Sequence, residues 1–553
     1  MPSMPPRALR LRRALVPALA AALTLSAPLA ARAFCGFYVA GSGEGLTNDA
    51  TMVVLMRDGQ RTVLSMQNSY QGPPEDFAMV VPVPTVLREG DVKTLPDDIF
   101  EGIDRLAAPR LVEYWEQDPC GQSGRDFTAV VELSPTANRD AGGISLAGSS
   151  RRHGVTIEAQ FDVGEYEIAI LSAKHSTGLE AWLRQNDYQL PQGAAALLRP
   201  YVAQGQKFFV AKVNVDEVKF VDGRAKLSPL RVHYDSETFS LPVRLGMINS
   251  SGHQDLVVHI LSREVRYEVA NYDNVAIPTN LDVVDGTRER FGAFYASLFD
   301  HTLAANPNAV VTEYAWGSGS CDPCPVPPLE AKDLASLGAD VIPSYAQVFA
   351  EARTADGVDP NLLASVGRDF VLTRLHARYS PDSLGEDLVF QAAPALTGGR
   401  ERWGADNEPE TGAQITPGGV NNFQARYAIR HEWQGPIECE SPQRGSWGGP
   451  WPELSQSSEL AVARDTAFAD RGAPLSDFVA DAAEEQLGSK PLSRHDWAAP
   501  EPLARPKSRP QPLGEAGGCA SCRIDAGSGR RGHGALAVFL GLCGLLALQR
   551  RRR

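Results

Sequence analysis

The chain carries none of the short motifs that mark a contiguous catalytic or nucleotide site. HExxH, G-x-S-x-G, P-loop and EF-hand patterns are all absent. Any active site would therefore have to be assembled by the fold from distant residues. No internal repeat is visible, and no cofactor fingerprint appears, so no cofactor and no catalytic residue is assigned. Cysteine is scarce, with eight residues among 553. The apolar run Ala535–Leu548 holds only 14 residues, short of the roughly 20 that span a hydrocarbon core as an untilted helix. Basic side chains are also few where they would matter. Residues 34–502 hold 38 basic and 65 acidic side chains, a net charge of −27. Such a body repels nucleic acid and anionic lipid, which disfavours both as partners.

The two ends supply what the middle lacks. Arg7, Arg10, Arg12 and Arg13 form a positive segment without an acid, followed by an Ala- and Leu-rich stretch from Ala14 to Ala31. Pro17 and Pro28 interrupt it, and Ala31-Arg32-Ala33 closes it with a small-x-small site. This is the pattern of a secretory signal peptide over residues 1–33, cut by signal peptidase between Ala33 and Phe34. Phe34 is too bulky for a lipoprotein signal at Cys35. At the other end Cys519-Ala520-Ser521-Cys522 precedes the apolar run, and Arg550–Arg553 stop it. Those arginines stay cytoplasmic under the positive-inside rule, which leaves the preceding chain outside. Residues 519–553 resemble the MYXO-CTERM sorting signal of myxobacterial surface proteins. The resemblance implies transient membrane anchoring, processing at Cys519 or Cys522 by a sorting protease, and display at the cell surface. In many such tails one residue separates the cysteines, whereas here two do.

Between the ends the pattern is α+β and weighted toward strands, in two or more globular modules. Residues 34–330 form the first and residues 331–440 a second. A Pro-rich stalk over 441–518 then leads to the short hydrophobic tail helix. Thr51–Met56 and Thr62–Gln67 flank Asp58-Gly59, a two-residue hairpin signal. Phe77–Val81 reads as a strand ended by Pro82. Ile99, Phe100, Ile103, Leu106 and Ala107 recur at helical spacing. Val155, Ile157, Ala159, Phe161 and Val163 alternate as one face of a strand. Thr177 and Glu180 make a capping box, and Pro191 opens a helix carrying Ala194, Leu198 and Tyr201. Further strands are expected at 208–215, 230–234, 256–261, 265–269, 370–379 and 423–433, and a helix near 286–304.

Ala33-Phe34-Cys35-Gly36-Phe37, Phe77-Ala78-Met79-Val80-Val81-Pro82-Val83-Pro84 and Ala108-Pro109-Arg110 with Asp118-Pro119-Cys120 resemble domain of unknown function 2330. Trp182-Leu183 and Lys207–Lys212 extend the likeness, which covers about 34–330. The family carries no assigned chemistry, so the resemblance implies none here.

Cys35, Cys120, Cys321, Cys324 and Cys439 lie in the exported body, where disulfides are permitted. Cys35 and Cys120 bracket the first module and are the expected pair, with Cys321 and Cys324 a second, unless one of these reaches Cys439. Cys321-Asp322-Pro323-Cys324 has the spacing of a redox motif, but Gly and Ser precede it and prolines follow, without a surrounding βαβ pattern. A zinc site would need two ligands beyond this pair. Only the distant Cys439 offers itself and no paired histidines occur, so no metal is expected. His376 falls in an alternating strand with Phe370 and Leu372, beside Arg374 and Arg378, and His431 reads as a partly buried strand histidine rather than a base. Trp433, Trp447 and Trp451 fit core or binding roles, with core or loop anchoring favoured for the first. Two functions follow: a noncatalytic surface protein, structural or ligand-binding, or a secreted hydrolase or thiol enzyme with a noncontiguous site.

Overall fold

The computed structural model describes residues 50–67, 78–96, 98–120, 154–186, 194–221, 224–249, 253–354, 366–380, 386–400, 419–450, 461–463, 471–479 and 486–492, with strand pieces at 37–38, 151–152, 357–358 and 416–417. The chain divides into units 1–500 and 501–553, and the second lies outside the described residues. The signal segment, Cys35, Cys519, Cys522 and the tail helix lie outside them as well.

The fold opens on a hairpin of β1 (Ala50–Asp58) and β2 (Arg61–Met66). Asp58 pairs with Arg61, so the turn is Gly59-Gln60, one residue later than the sequence suggests. Gly59 takes φ +59°, a conformation only glycine adopts without strain. Next comes β3 (Ala78–Val83), which runs through Pro82 rather than stopping there. Its neighbour at 37–38 pairs only with Met79 and Val80, so Pro82 faces no second partner among the described residues and its missing N–H costs no ladder bond. α1 (Asp98–Ala107) buries Ile99, Phe100, Ile103 and Leu106 and leads into β4 (Arg110–Glu116).

β5 (Val155–Val163) and β6 (Tyr166–Ala173) form a second hairpin, with a register shift between Ile157 and Ala159 that interrupts the alternation. α2 (Ser176–Gln185) starts after His175 without a side-chain cap. The Thr177–Glu180 box is not formed; Glu180 instead pairs with Arg184 at 2.9 Å, one turn on. Then follow α3 (Ala194–Ala203), β7 (Lys207–Val213), β8 (Leu230–Asp235), β9 (Gln254–Arg263), α4 (Phe291–Ala305) and β10 (Val310–Gly317). The remaining main strands are β11 (Phe370–Tyr379), β12 (Leu388–Ala393), β13 (Asn422–Gln424) and β14 (Arg426–His431). The strand expected over 423–433 is thus two strands in two different sheets.

The large mixed sheet has the main-strand order β13-β10-β11-β9-β1-β2-β8. β9 runs parallel to β1 and antiparallel to β11. β1 shows how alternation builds the layers. Val53 and Leu55 face the second sheet, packing with Val81, Ile168 and Phe209, while Val54 and Met56 face α1. The second sheet, in main-strand order β3-β7-β6-β5, carries α2 and α3 on its other side through Leu179, Leu183, Leu198 and Phe208. A smaller sheet joins β14 parallel to β4.

Strand pairing continues across the boundary expected at 330, because β10 pairs with β11 and β4 with β14. Described residues also pair with the body inside the stretch expected as a stalk from 441. Ala461–Val462 pair with β4, Lys490–Pro491 pair with 274–276, and Phe478 is buried against Phe294 of α4. These short apolar stretches dock among the prolines, while residues beyond 492 lie outside the described part. No helix among the described residues is long and apolar enough to cross a membrane.

Candidate functional site: a polar cleft beside a buried charge network

The central strands carry charge where a sheet covered on both faces calls for apolar side chains. β11 places Arg374 and His376 on one face by alternation, and β10 supplies Glu313, which is 0 % exposed. His376 Nδ1 lies 2.7 Å from Glu313 Oε1, and its Nε2 lies 3.0 Å from Asp255 Oδ1. Arg374 Nε donates to Glu313 Oε2 at 2.6 Å, and its Nη1 donates to Asp104. Tyr295 of α4 donates to Glu313 Oε1 at 2.6 Å. Arg378 bridges Asp255 at 2.8 Å and Asp300 at 2.6 Å, and Arg471 meets the same two carboxylates.

Burial alone would raise the Glu313 pKa, but His376 and Arg374 outweigh it and hold it at about 2. Burial would likewise discharge His376, yet Glu313 and the Asp255 hydrogen bond raise it above the ordinary histidine value. His376 is therefore an imidazolium with both N–H groups committed to carboxylates, and Phe299 stacks on it at 3.9 Å. Four carboxylates then face three guanidiniums and one imidazolium. The network is balanced, buried at Glu313, His376 and Arg374 and reaching solvent at Asp300 and Arg471, and it leaves His376 no lone pair with which to act as a base. His259 lies on β9 opposite Arg374, with no hydrogen-bond partner at either ring nitrogen among the described residues. Burial, then Arg374, holds its pKa well below the ordinary value, so it is neutral.

His431 is placed differently. Its Nε2 lies 2.8 Å from Glu113 Oε2 and its Nδ1 3.3 Å from Asp285 Oδ1, and its ring stacks on Trp115 at 4.8 Å. Trp433 anchors its loop through its backbone N–H to Glu116 at 3.0 Å. Trp447 packs at the edge of the small sheet with Arg430 over its ring, and Trp451 lies outside the described residues.

Four cysteines are paired among the described residues, one pair across the small sheet and one within a loop. Cys120, just beyond β4, is bonded to Cys439, just beyond β14, and not to Cys35 as the bracketing of the first module suggests. The parallel pairing of β4 and β14 brings those two chain ends together. Cys321 is bonded to Cys324 within its own loop. Two buried side chains hold that loop: Arg110 Nη1 donates to Pro323 O at 2.7 Å, and Gln424 donates to Asp322 O. No group of three or more His, Cys, Asp or Glu suited to a metal ion occurs among the described residues.

An open cleft of about 420 Å³ lies where the second sheet meets the end of α3 and the loop after β8. That volume falls within the roughly 300–1,000 Å³ of small-molecule sites. Its floor is organised by Asp387. The Tyr201 hydroxyl donates to Asp387 Oδ1 at 2.7 Å, as do the backbone N–H groups of Val243 at 2.9 Å and Arg244 at 3.2 Å. Burial and then Asp387 raise the Tyr201 pKa, so the phenol stays protonated. Gln204, Gln206, Ser236, Thr238 and Ser240 line the walls with groups that both donate and accept. Pro82, Pro84 and Pro242 add flat apolar faces, and Val389 is the only other aliphatic residue lining the cleft. Neither histidine nor cysteine lines it. The sequence gives little warning of this cleft, because its residues come from four separate segments and are of types common in any loop.

These features define a strand-rich α+β protein with a polar cleft and a largely buried ionic network. A family model, an uncharacterized protein conserved in bacteria (DUF2330), matches residues 29–391, and the chain belongs to that family. No curated protein and no solved structure matches it.

Proposed function

We propose that the chain is an exported, noncatalytic cell-surface protein that binds a small neutral polar ligand, such as a saccharide or a short peptide, in the cleft. The observation that carries the binding reading is the cleft lining, which offers paired donors and acceptors, proline faces and one further carboxylate, that of Glu386. Asp387 already accepts three hydrogen bonds, and Arg244 lies 3.6 Å from it, so these two charged groups satisfy one another. Export is supported by the signal pattern of residues 1–33 and by the two disulfides, which persist in an oxidising compartment. Anchoring rests on the MYXO-CTERM-like tail, with signal peptidase and a sorting protease as transient partners. The hydrolase alternative loses support because His376 has both nitrogens occupied.

Two measurements test this. Neutral saccharides and peptides are screened against the full chain and against a Gln204→Ala, Thr238→Ala variant. Saturable binding that the variant weakens at least tenfold is expected; binding unchanged by the variant would remove the cleft from the account. Truncation after Pro512 should release folded protein into the medium. Retention in the membrane at the level of the full chain would place the anchor elsewhere.

A further inference from the structure

A second site lies away from the cleft, at the start of the parallel pair β4 and β14, where Arg110 stands directly opposite Arg426. Both are buried, at 0 % and 3 % exposure. Arg110 donates to three backbone carbonyls: Pro323 at 2.7 Å, Leu106 at 2.6 Å and Ala108 at 3.3 Å. Arg426 Nη1 donates to Asn280 Oδ1 at 3.0 Å. All these acceptors are neutral. The Nε of each arginine has no partner, and neither arginine makes an ion pair among the described residues. Tyr314 lies under the Arg110 guanidinium at 5.5 Å, and Tyr114 under that of Arg426 at 5.4 Å. A third guanidinium, of half-buried Arg400, sits over Trp316 at 5.9 Å, and its Nε is also unpartnered.

Buried donors are almost always satisfied, and buried like charges without a counter-ion repel. Burial, then Arg110 and Arg430, lowers the Arg426 pKa to about 9. Asp322 acts on Arg110 only from beyond ion-pair distance. The contrast with Arg374 matters here, because that equally buried guanidinium has two carboxylates.

We propose that Arg110 and Arg426, with Arg400 at the rim, hold a small tetrahedral oxyanion of the phosphate or sulfate class. A dianion neutralises two guanidiniums, whereas a monocarboxylate neutralises one. Arg426, whose only side-chain hydrogen bond among the described residues is through Nη1, keeps its Nε side for the planar, two-point contact that arginine makes with oxyanions, and Arg110 adds its single free Nε–H.

The test uses the full chain, dialysed exhaustively into chloride. Calorimetric titration and thermal unfolding compare inorganic phosphate, sulfate and acetate with chloride at matched ionic strength. One saturable site for phosphate or sulfate, with a rise in Tm above the chloride value, is expected, and the two arms show which anion is preferred. Arg426→Gln should weaken binding at least tenfold and Arg400→Gln several-fold. Arg400→Gln, at a partly exposed position, keeps the fold if Arg426→Gln does not. Phosphate and sulfate acting no differently from chloride would overturn the proposal, as would binding that a folded variant at either position leaves unchanged.

Discussion

Arg374 and Arg426 are two guanidiniums on strands, both buried, and their surroundings differ in one respect. Arg374 sits among carboxylates and its pKa is raised, because Asp104 and Glu313 outweigh the burial that would lower it. Arg426 sits beside another arginine with only an amide oxygen as acceptor, and its pKa is lowered. Burial is therefore not what separates them; the neighbours are. The first arrangement is closed and complete, and so structural. The second is incomplete, and incompleteness is what a binding site looks like before its ligand arrives.

The comparison breaks most severely if the complete network loses one member. Glu313→Ala leaves Arg374 and His376 short of their shared partner and should cost about 3–5 kcal/mol in urea unfolding, the usual cost of stranding a buried charge. A loss under about 1 kcal/mol would mean that the network is not stabilising. Next in size is the Cys120–Cys439 bond, which lies beyond the opposite ends of the two strands that hold Arg110 and Arg426. The Cys120→Ser, Cys439→Ser variant should lose about 2–4 kcal/mol, and nonreducing peptide mapping should recover Cys120 joined to Cys439 in the parent.

The pH profile sharpens the contrast without mutation. Glu313 and Asp255 have folded pKa values below their ordinary 4.5 and 3.8, so the stability they contribute is present above those values and fades as acid approaches about 2. Asp255 is held low despite burial, through its His376 hydrogen bond and charge. His376 has a folded pKa above its ordinary 6.5, so its contribution is complete below 6.5 and fades as pH rises through the folded value. Thermal unfolding should therefore show a plateau between about pH 4.5 and 6.5 that falls on both sides. His376→Gln should flatten the alkaline slope.

Arg426→Leu in chloride should cost far less than Arg374→Leu, about 1 kcal/mol, since it removes repulsion along with one hydrogen bond and strands no carboxylate. The smallest effect belongs to the surface. Arg61 pairs with Asp235 at 2.6 Å, but the Asp235 side chain is 58 % exposed, and Arg61→Ala should change stability by no more than about 1 kcal/mol.

Element type was largely legible from periodicity. β11 spans the expected 370–379, α1 matches the helical spacing from Ile99 to Ala107, and β9 contains the apolar run 256–261. What periodicity does not encode is which strand lies beside which. The adjacency of β4 and β14 joins segments more than 300 residues apart, and it sets both the Cys120 pairing and the Arg110–Arg426 contact. One signal for the charge network was available. Arg374, His376 and Arg378 recur at spacing two in register with Phe370 and Leu372, so charge occupies the face that those side chains mark as buried. Their partners Glu313, Asp104 and Asp255 come from three other elements, and only the fold collects them.

The 319-residue separation of Cys120 and Cys439 also orders events in time. If the chain is exported as proposed, N-terminus first, Cys120 arrives long before Cys439. Cys321 and Cys324 emerge in between and need to close only a three-residue span. The local bond can form at once, whereas Cys120 must wait as a thiol, with β4 unpaired along the edge that β14 later covers. Long-range strand pairing of this kind is slow and leaves sticky edges exposed meanwhile. Maturation should thus pass through a stage in which Cys120 is open to capture by a wrong partner, and oxidative folding assisted by a disulfide isomerase should outpace unassisted folding.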